Sequence, residues 1–197
     1  MTEDLSNMHL SKAEFQEYGY RLVDWLAEYF ENVDQYQVLP SIEPGDIRNM
    51  LPVSAPERAE SMDEIIADLD RVVMPGVAHW QHPGWYAFFP SGASPVSALG
   101  EFVAAGLATQ GMMWSTAPAA TEIENTVLDW LVDLLGLPSS WRLDEGPGGG
   151  VIQMSASDST HLSLAVARHQ FELSGADANS LVAYGSSQAH SSIEKGA

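Results

Sequence analysis

The chain has 197 residues, 45% of them hydrophobic, which is enough to bury the core of one large domain. It has no cysteine, so disulfides and thiolate metal sites are excluded and a reducing compartment is the natural fit. Acidic residues outnumber Lys plus Arg 27 to 8, a net charge of −19, and such a field makes nucleic acid and anionic membrane poor partners.

The first ten residues, MTEDLSNMHL, lack the basic-then-apolar layout of a signal peptide. No apolar run approaches the roughly 20 residues a membrane helix needs. A soluble, cytoplasmic protein is expected. The acidity fits plain solubility. It also means that an anionic ligand must be held locally, by backbone N–H groups at a helix start.

The spacing predicts a first helix over 11–33. Ser11 and Glu14 have the separation of a capping box. Phe15, Tyr18, Leu22, Trp25, Leu26 and Tyr29 recur on one face. That broad aromatic face packs either on a dimer partner or on the chain's own core. Residues 37–56 hold four prolines and read as an extended connector with one short helical turn. A second capping box, Ser61 with Glu64, opens a helix that Met74-Pro75-Gly76 ends.

Residues 79–95, HWQHPGWYAFFPSGASP, make no regular helix. Their aromatic residues form either a hydrophobic plug or the wall of a pocket for a flat apolar ligand. A small-residue helix is expected over 97–108 and a loop around Gly111-Met112-Met113-Trp114. A helix over 119–135 carries Ile123, Val127, Trp130, Leu131, Leu134 and Leu135, with Gly136 as its stop.

The stretch GGGVIQMSASDSTHLSLAVARHQ, residues 148–170, reads as glycines, a short strand at Val151-Ile152-Gln153, a turn at Ser155-Ala156-Ser157, and a helix from Asp158. Free N–H groups at such a helix start, flanked by small side chains, can cradle a phosphate. Ser155 is equally an ordinary N-cap. The stretch has neither the Gly-x-Gly-x-x-Gly of a dinucleotide fold after its strand nor a Gly-Lys-Ser/Thr. A turn over 175–180, a second strand at 181–184 and a helix entered near Ala189 follow. His190, just after that strand, either stacks on a ligand or shuttles a proton there, or is a turn histidine in solvent. His79, His82, His161 and His169 lack metal-ligand spacing, and no metal is assigned. Helices first, then strand–helix–strand–helix, read as α/β with a helical N-terminal arm.

Four runs in order, MPGVAHWQHPGWYAFFPSGAS, WSTAPAATEIENTVLDWL, GGGVIQMSAS and AYGSSQAHSSIEK, resemble the pyridoxal-phosphate-dependent group II decarboxylases, in particular the aromatic-amino-acid branch. The resemblance runs from about Met62 onward. It implies a carboxy-lyase of the fold-type I, aminotransferase-like class, with pyridoxal 5'-phosphate as cofactor and an obligate homodimer. Residues 1–75 would be the dimerising helical arm, and 76–197 the incomplete start of the large cofactor domain.

By that resemblance Ser155, Ala156 and Ser157 hold the cofactor phosphate. His190 stacks on the pyridine ring and helps return a proton to the substrate carbon or position the substrate. Trp80, Phe88, Phe89, Pro90 and Ser91 match the substrate-pocket wall, and Met112 matches the loop that reaches a neighbouring subunit's pocket. The family pattern has tyrosine at the position of Phe88, threonine at Ser91, and an aromatic or aliphatic residue at Met112. Only two lysines are present, Lys12 and Lys195, and neither matches the Schiff-base lysine. The aspartate that pairs with the pyridinium nitrogen is likewise expected beyond residue 197.

The expectation is therefore the N-terminal part of a decarboxylase that turns aromatic L-amino acids into amines and CO2, inactive alone. The alternatives are a non-catalytic dimerisation or binding module, and a decarboxylase of another amino acid. Trp80, Phe88 and Phe89 offer no charge partner for a side-chain carboxylate or amine, which disfavours glutamate and diamino acids as substrates.

Overall fold

A computed structural model describes residues 9–89, 92–146, 148–175, 177 and 181–197. The chain forms two compact units, Met1–Leu107 and Ala108–Ala197. Among the described residues every regular element is helical, and no helix is long and apolar enough to cross a membrane.

In the first unit α1 spans Lys12–Glu31. Ser11 caps it: the Ser11 hydroxyl accepts from the Glu14 N–H, and the Glu14 carboxylate accepts from the Ser11 N–H at 2.8 Å. Helix α2 (Asp46–Met50) is the single turn expected in the proline-rich connector. Helix α3 (Met62–Asp68) starts with the same device, Ser61 with Glu64. It widens into a π turn over Leu69–Val73 and tightens into a 3-10 turn over Met74–Gly76. The added turns bring Asp70 to the α1 face, where its carboxylate accepts from Trp25 Nε1 at 2.9 Å. Arg21 pairs with Asp63 one turn earlier. Helix α4 (Pro95–Leu107) opens with proline at its first position, and Ser94 and Ser97 exchange hydrogen bonds around that start. Phe102 of α4 stacks on Phe15 of α1, 6.1 Å between ring centres.

In the second unit α5 spans Pro118–Leu134. It ends in a Schellman motif: Gly136, at φ 65, donates to the Asp133 carbonyl, and Leu137 donates to that of Val132. The chain then folds back along α5. Arg142 reaches Asp133 and Asp144, the Leu143 N–H donates to Asp129, and the Ile152 N–H donates to Glu124 at 2.6 Å. Asp144 and Asp133 hold the Arg142 guanidinium well above its ordinary range, and Arg142 in turn lowers Asp144. Helix α6 (Ala156–Leu173) follows, and the short α7 (Ser192–Gly196) packs on it.

Two glycines of the triplet answer to this return. A Cβ on Gly148 would lie 2.3 Å from the Trp141 carbonyl carbon. Gly149, at φ 129, donates to the Trp141 carbonyl at 2.8 Å. The small residues before α6 therefore let two backbones meet.

The strands expected at 151–153 and 181–184 have no ladder partner among the described residues. The Ile152 N–H is spent on the Glu124 carboxylate, and 181–184 runs beside α6 with no backbone partner among the described residues. The α/β expectation is thus not confirmed by the described residues. Helix α6 starts two residues earlier than expected, and α7 starts at Ser192 rather than near Ala189. The turn placed over 175–180 lies mostly outside the described residues.

Candidate functional site

The start of α6 is built from its own sequence. Ser155 sits in extended backbone as N-cap, and its hydroxyl accepts from the Asp158 N–H at 3.1 Å and donates to the Asp158 carboxylate at 2.8 Å. The Ser159 N–H goes to the Ser155 carbonyl. Of the first four N–H groups, those of Ala156 and Ser157 have no partner among the described residues. The half-buried Ser157 hydroxyl has none there either. Two backbone donors, one hydroxyl and the positive end of an 18-residue helix suit a phosphate. Ser155, the third residue expected to hold it, spends its hydroxyl on Asp158, so its part is to shape the cap.

His190 belongs to the same unit. Its Nδ1 accepts from the Ser192 N–H at 3.2 Å and lies 3.0 Å from the Ser192 hydroxyl. Ser192 is buried, and its hydroxyl reaches Thr160 Oγ1 at 3.5 Å. Thr160 donates to the Ala156 carbonyl at 2.9 Å. The histidine and the helix start are therefore joined by side chains. Sequence reasoning missed Ser192 and Thr160; the signals are a serine two residues after His190 and a threonine four residues after Ala156.

The aromatic candidates lie in the first unit. Trp80 stacks between Trp85, 4.6 Å away, and Phe88, 6.2 Å away. Phe88 stands at φ 55, a left-handed conformation rare for a bulky residue, and its ring and that of Phe89 are exposed. Pro90 and Ser91 lie outside the described residues. Met112 is exposed in the loop between α4 and α5.

The two histidines beside the aromatic loop are structural. His79 is buried against Tyr29 and Tyr36, with its Nδ1 3.0 Å from the Tyr29 hydroxyl. Burial, with His82 nearby, holds its imidazole below the ordinary range, and burial also raises the Tyr29 phenol. His82 accepts from the Gly84 N–H and bonds the Asp34 carbonyl. Among the described residues no cluster could hold a metal ion.

Residues 44–197 match the pyridoxal-dependent decarboxylase conserved domain. The chain belongs to the pyridoxal-dependent decarboxylase family. It is 41% identical over 188 residues to phenylacetaldehyde synthase of Arabidopsis thaliana, covering 94% of this chain and 38% of that protein. It is 40% identical over 197 residues to aromatic-L-amino-acid decarboxylase of Cavia porcellus, covering 94% and 41%. A crystal structure of Oryza sativa TDC with PLP and tryptamine superposes with a TM-score of 0.86 at 34% identity, covering 95% of this chain and 39% of that one. The chain thus spans about 40% of the length of such relatives.

Proposed function

We infer that the chain supplies the phosphate cradle, the stacking histidine and part of the substrate wall of a pyridoxal-phosphate-dependent decarboxylase of aromatic L-amino acids. The observation that carries this is the donor set at the start of α6 left without a partner among the described residues, the Ala156 and Ser157 N–H groups with the Ser157 hydroxyl, close to His190 through the contacts of Thr160 and Ser192. The family supplies the cofactor's identity, and the relatives' names supply the substrate class.

When bound, pyridoxal phosphate would supply the electron sink for loss of the α-carboxylate. Ala156 and Ser157 anchor its phosphate. This local anchoring offsets the repulsion of a chain carrying net charge −19. His190 covers the ring and moves or holds a proton near the substrate carbon. Trp80, Phe88 and Phe89, with Pro90 and Ser91 of the same run, bind the aromatic side chain and exclude water, and Met112 belongs to the loop that reaches a neighbouring subunit's pocket.

The fold-type I α/β architecture is part of the same reading, supported by the likeness to the rice structure. So are an arm over 1–75 and a homodimer, which would cover exposed residues such as Phe15 and Leu26 on α1. A second reading, release of an aldehyde instead of an amine, is favoured by the 41% identity to phenylacetaldehyde synthase.

The test uses the native protein purified from its source. It is expected to carry pyridoxal phosphate and to release CO2 from L-tryptophan or L-tyrosine. Oxygen uptake with aldehyde formation selects the second reading. Ser157→Asp places a carboxylate where the phosphate sits and is expected to strip the cofactor. Native protein without pyridoxal phosphate, or Ser157→Asp protein with full cofactor content, overturns the assignment.

A further inference from the structure

Ser192 and His79 are the two buried polar side chains among the described residues. His79 is explained by its tyrosine cluster. Ser192 faces His190 with two donors, its backbone N–H at 3.2 Å and its hydroxyl at 3.0 Å, both directed at Nδ1. A backbone N–H can only donate, so Nδ1 must be the bare, accepting nitrogen of the ring. The proton of a neutral His190 then sits on Nε2, which has no partner among the described residues. The Ser192 hydroxyl has a single proton and spends it on Nδ1, and the Thr160 hydroxyl spends its own on the Ala156 carbonyl, so the 3.5 Å approach of the two hydroxyl oxygens is a packing contact.

We propose that Ser192 is a positioning residue that fixes His190 as the Nε2–H tautomer, with its own side chain packed against Thr160 in the first turns of α6. The ring that covers a ligand and the helix start that anchors it then keep one spacing. Nε2–H is the donor presented to that ligand, and Nδ1 is withheld from it. The catalytic meaning rests on the function inferred above; the tautomer itself does not.

The experiment uses the full-length protein labelled with 15N at histidine, with His190→Gln to assign the His190 signals. Long-range proton–nitrogen spectra are recorded at about pH 8, where an ordinary imidazole is neutral. The unmodified chain is expected to show a bare Nδ1 and a protonated Nε2. Ser192→Ala keeps the backbone donor and loses the hydroxyl. It is expected to raise the share of the Nδ1–H form about fivefold, the equivalent of one ordinary hydrogen bond. Ser192→Thr restores the wild-type ratio, and Ser192→Cys, a weaker donor of similar size, falls between. An Nδ1–H tautomer in the unmodified chain overturns the proposal, and no folding defect can produce that result. So does a tautomer ratio that Ser192→Ala leaves unmoved. Titration of the same samples with pyridoxal phosphate separates the two ideas: failure to bind it with the expected tautomer intact counts against the inferred function alone.

Discussion

Replacing Gly148 with alanine tests the return of the chain along α5. The added Cβ would lie 2.3 Å from the Trp141 carbonyl carbon, 2.4 Å from its oxygen and 2.5 Å from its Cα. Ordinary contact begins near about 3.5 Å, so the overlap exceeds about 1 Å, and it is against backbone that has no rotamer to change. Residues 148–150 must move off the 139–141 turn, which breaks the Gly149 N–H bond to the Trp141 carbonyl. Overpacking costs about 1–3 kcal/mol and the lost bond about 1, so the sum is about 2–4 kcal/mol. With a urea slope of about 2 kcal/mol per molar, the midpoint falls by about 1–2 M. Gly106→Ala is the control. Gly106 lies in α4 with nothing within 4 Å of an added Cβ, and there alanine stabilises by about 0.5–1 kcal/mol. The same chemical change thus has opposite signs at two positions. Urea unfolding followed by far-ultraviolet dichroism gives both midpoints, and amide exchange at Gly149 reports the contact directly. A Gly148→Ala chain with an unmoved midpoint and a still-protected Gly149 amide would refute the reasoning.

Ser61→Ala removes the hydroxyl that caps α3 and should cost about 1 kcal/mol, read as a fall in thermal midpoint, whereas Ser61→Asp should recover most of it. Burial holds the folded His79 imidazole below its ordinary value of 6.5. The unfolded chain therefore takes up that proton first as pH falls, and stability is lost from about pH 6.5 downward until the folded group also titrates. A urea-midpoint series against pH checks this, and His79→Gln should flatten that part of the curve; an unchanged slope speaks against a buried neutral His79. In the native protein Trp80→Ala should raise KM more for tryptophan than for smaller aromatic amino acids, because it removes the middle ring of the Trp85–Trp80–Phe88 stack. Equal changes across substrates would remove Trp80 from the substrate wall.

Local rules were legible where the partners are near in sequence. Both capping boxes, the Gly136 stop and the helical periods of α1 and α5 rest on residues three to five apart, and each is present. The Ser155 cap was legible for the same reason, which is also why sequence left it ambiguous: one serine serves a plain cap and a phosphate cradle alike. The strands were not recoverable in the described residues, because a strand is defined by a neighbour and a short apolar run such as Val151-Ile152 has none of its own to name. The π turn after α3 was also missed, since its role is set by Trp25, 45 residues away from Asp70. The aromatic loop shows the limit most clearly. Its composition gave the rings, whereas the separation of His79 and His82, which tie the loop to residues 34–38, from Trp80, Phe88 and Phe89 depends on which rings meet.

The division of labour between the two units bears on how the site assignments can fail. The proposed phosphate cradle, His190, Ser192 and Thr160 all lie within residues 108–197, and the Trp80–Phe88 stack lies within residues 1–107. Changes in the first group act on an anion and a flat ring through hydrogen bonds and helix polarity, so they should move cofactor retention. Changes in the second act on a side chain through apolar contact, so they should move substrate preference and leave retention alone. A Trp80 variant that lost cofactor, or a Ser157 variant that changed only substrate preference, would contradict the chemistry assigned to each group. The strong net charge sharpens this contrast. A cofactor phosphate held by general attraction to a basic surface would depend on many residues at once. With a net charge of −19 this chain offers no such surface, so on the proposed reading its contribution to retention would rest on the few donors of the α6 start, and single substitutions there should show.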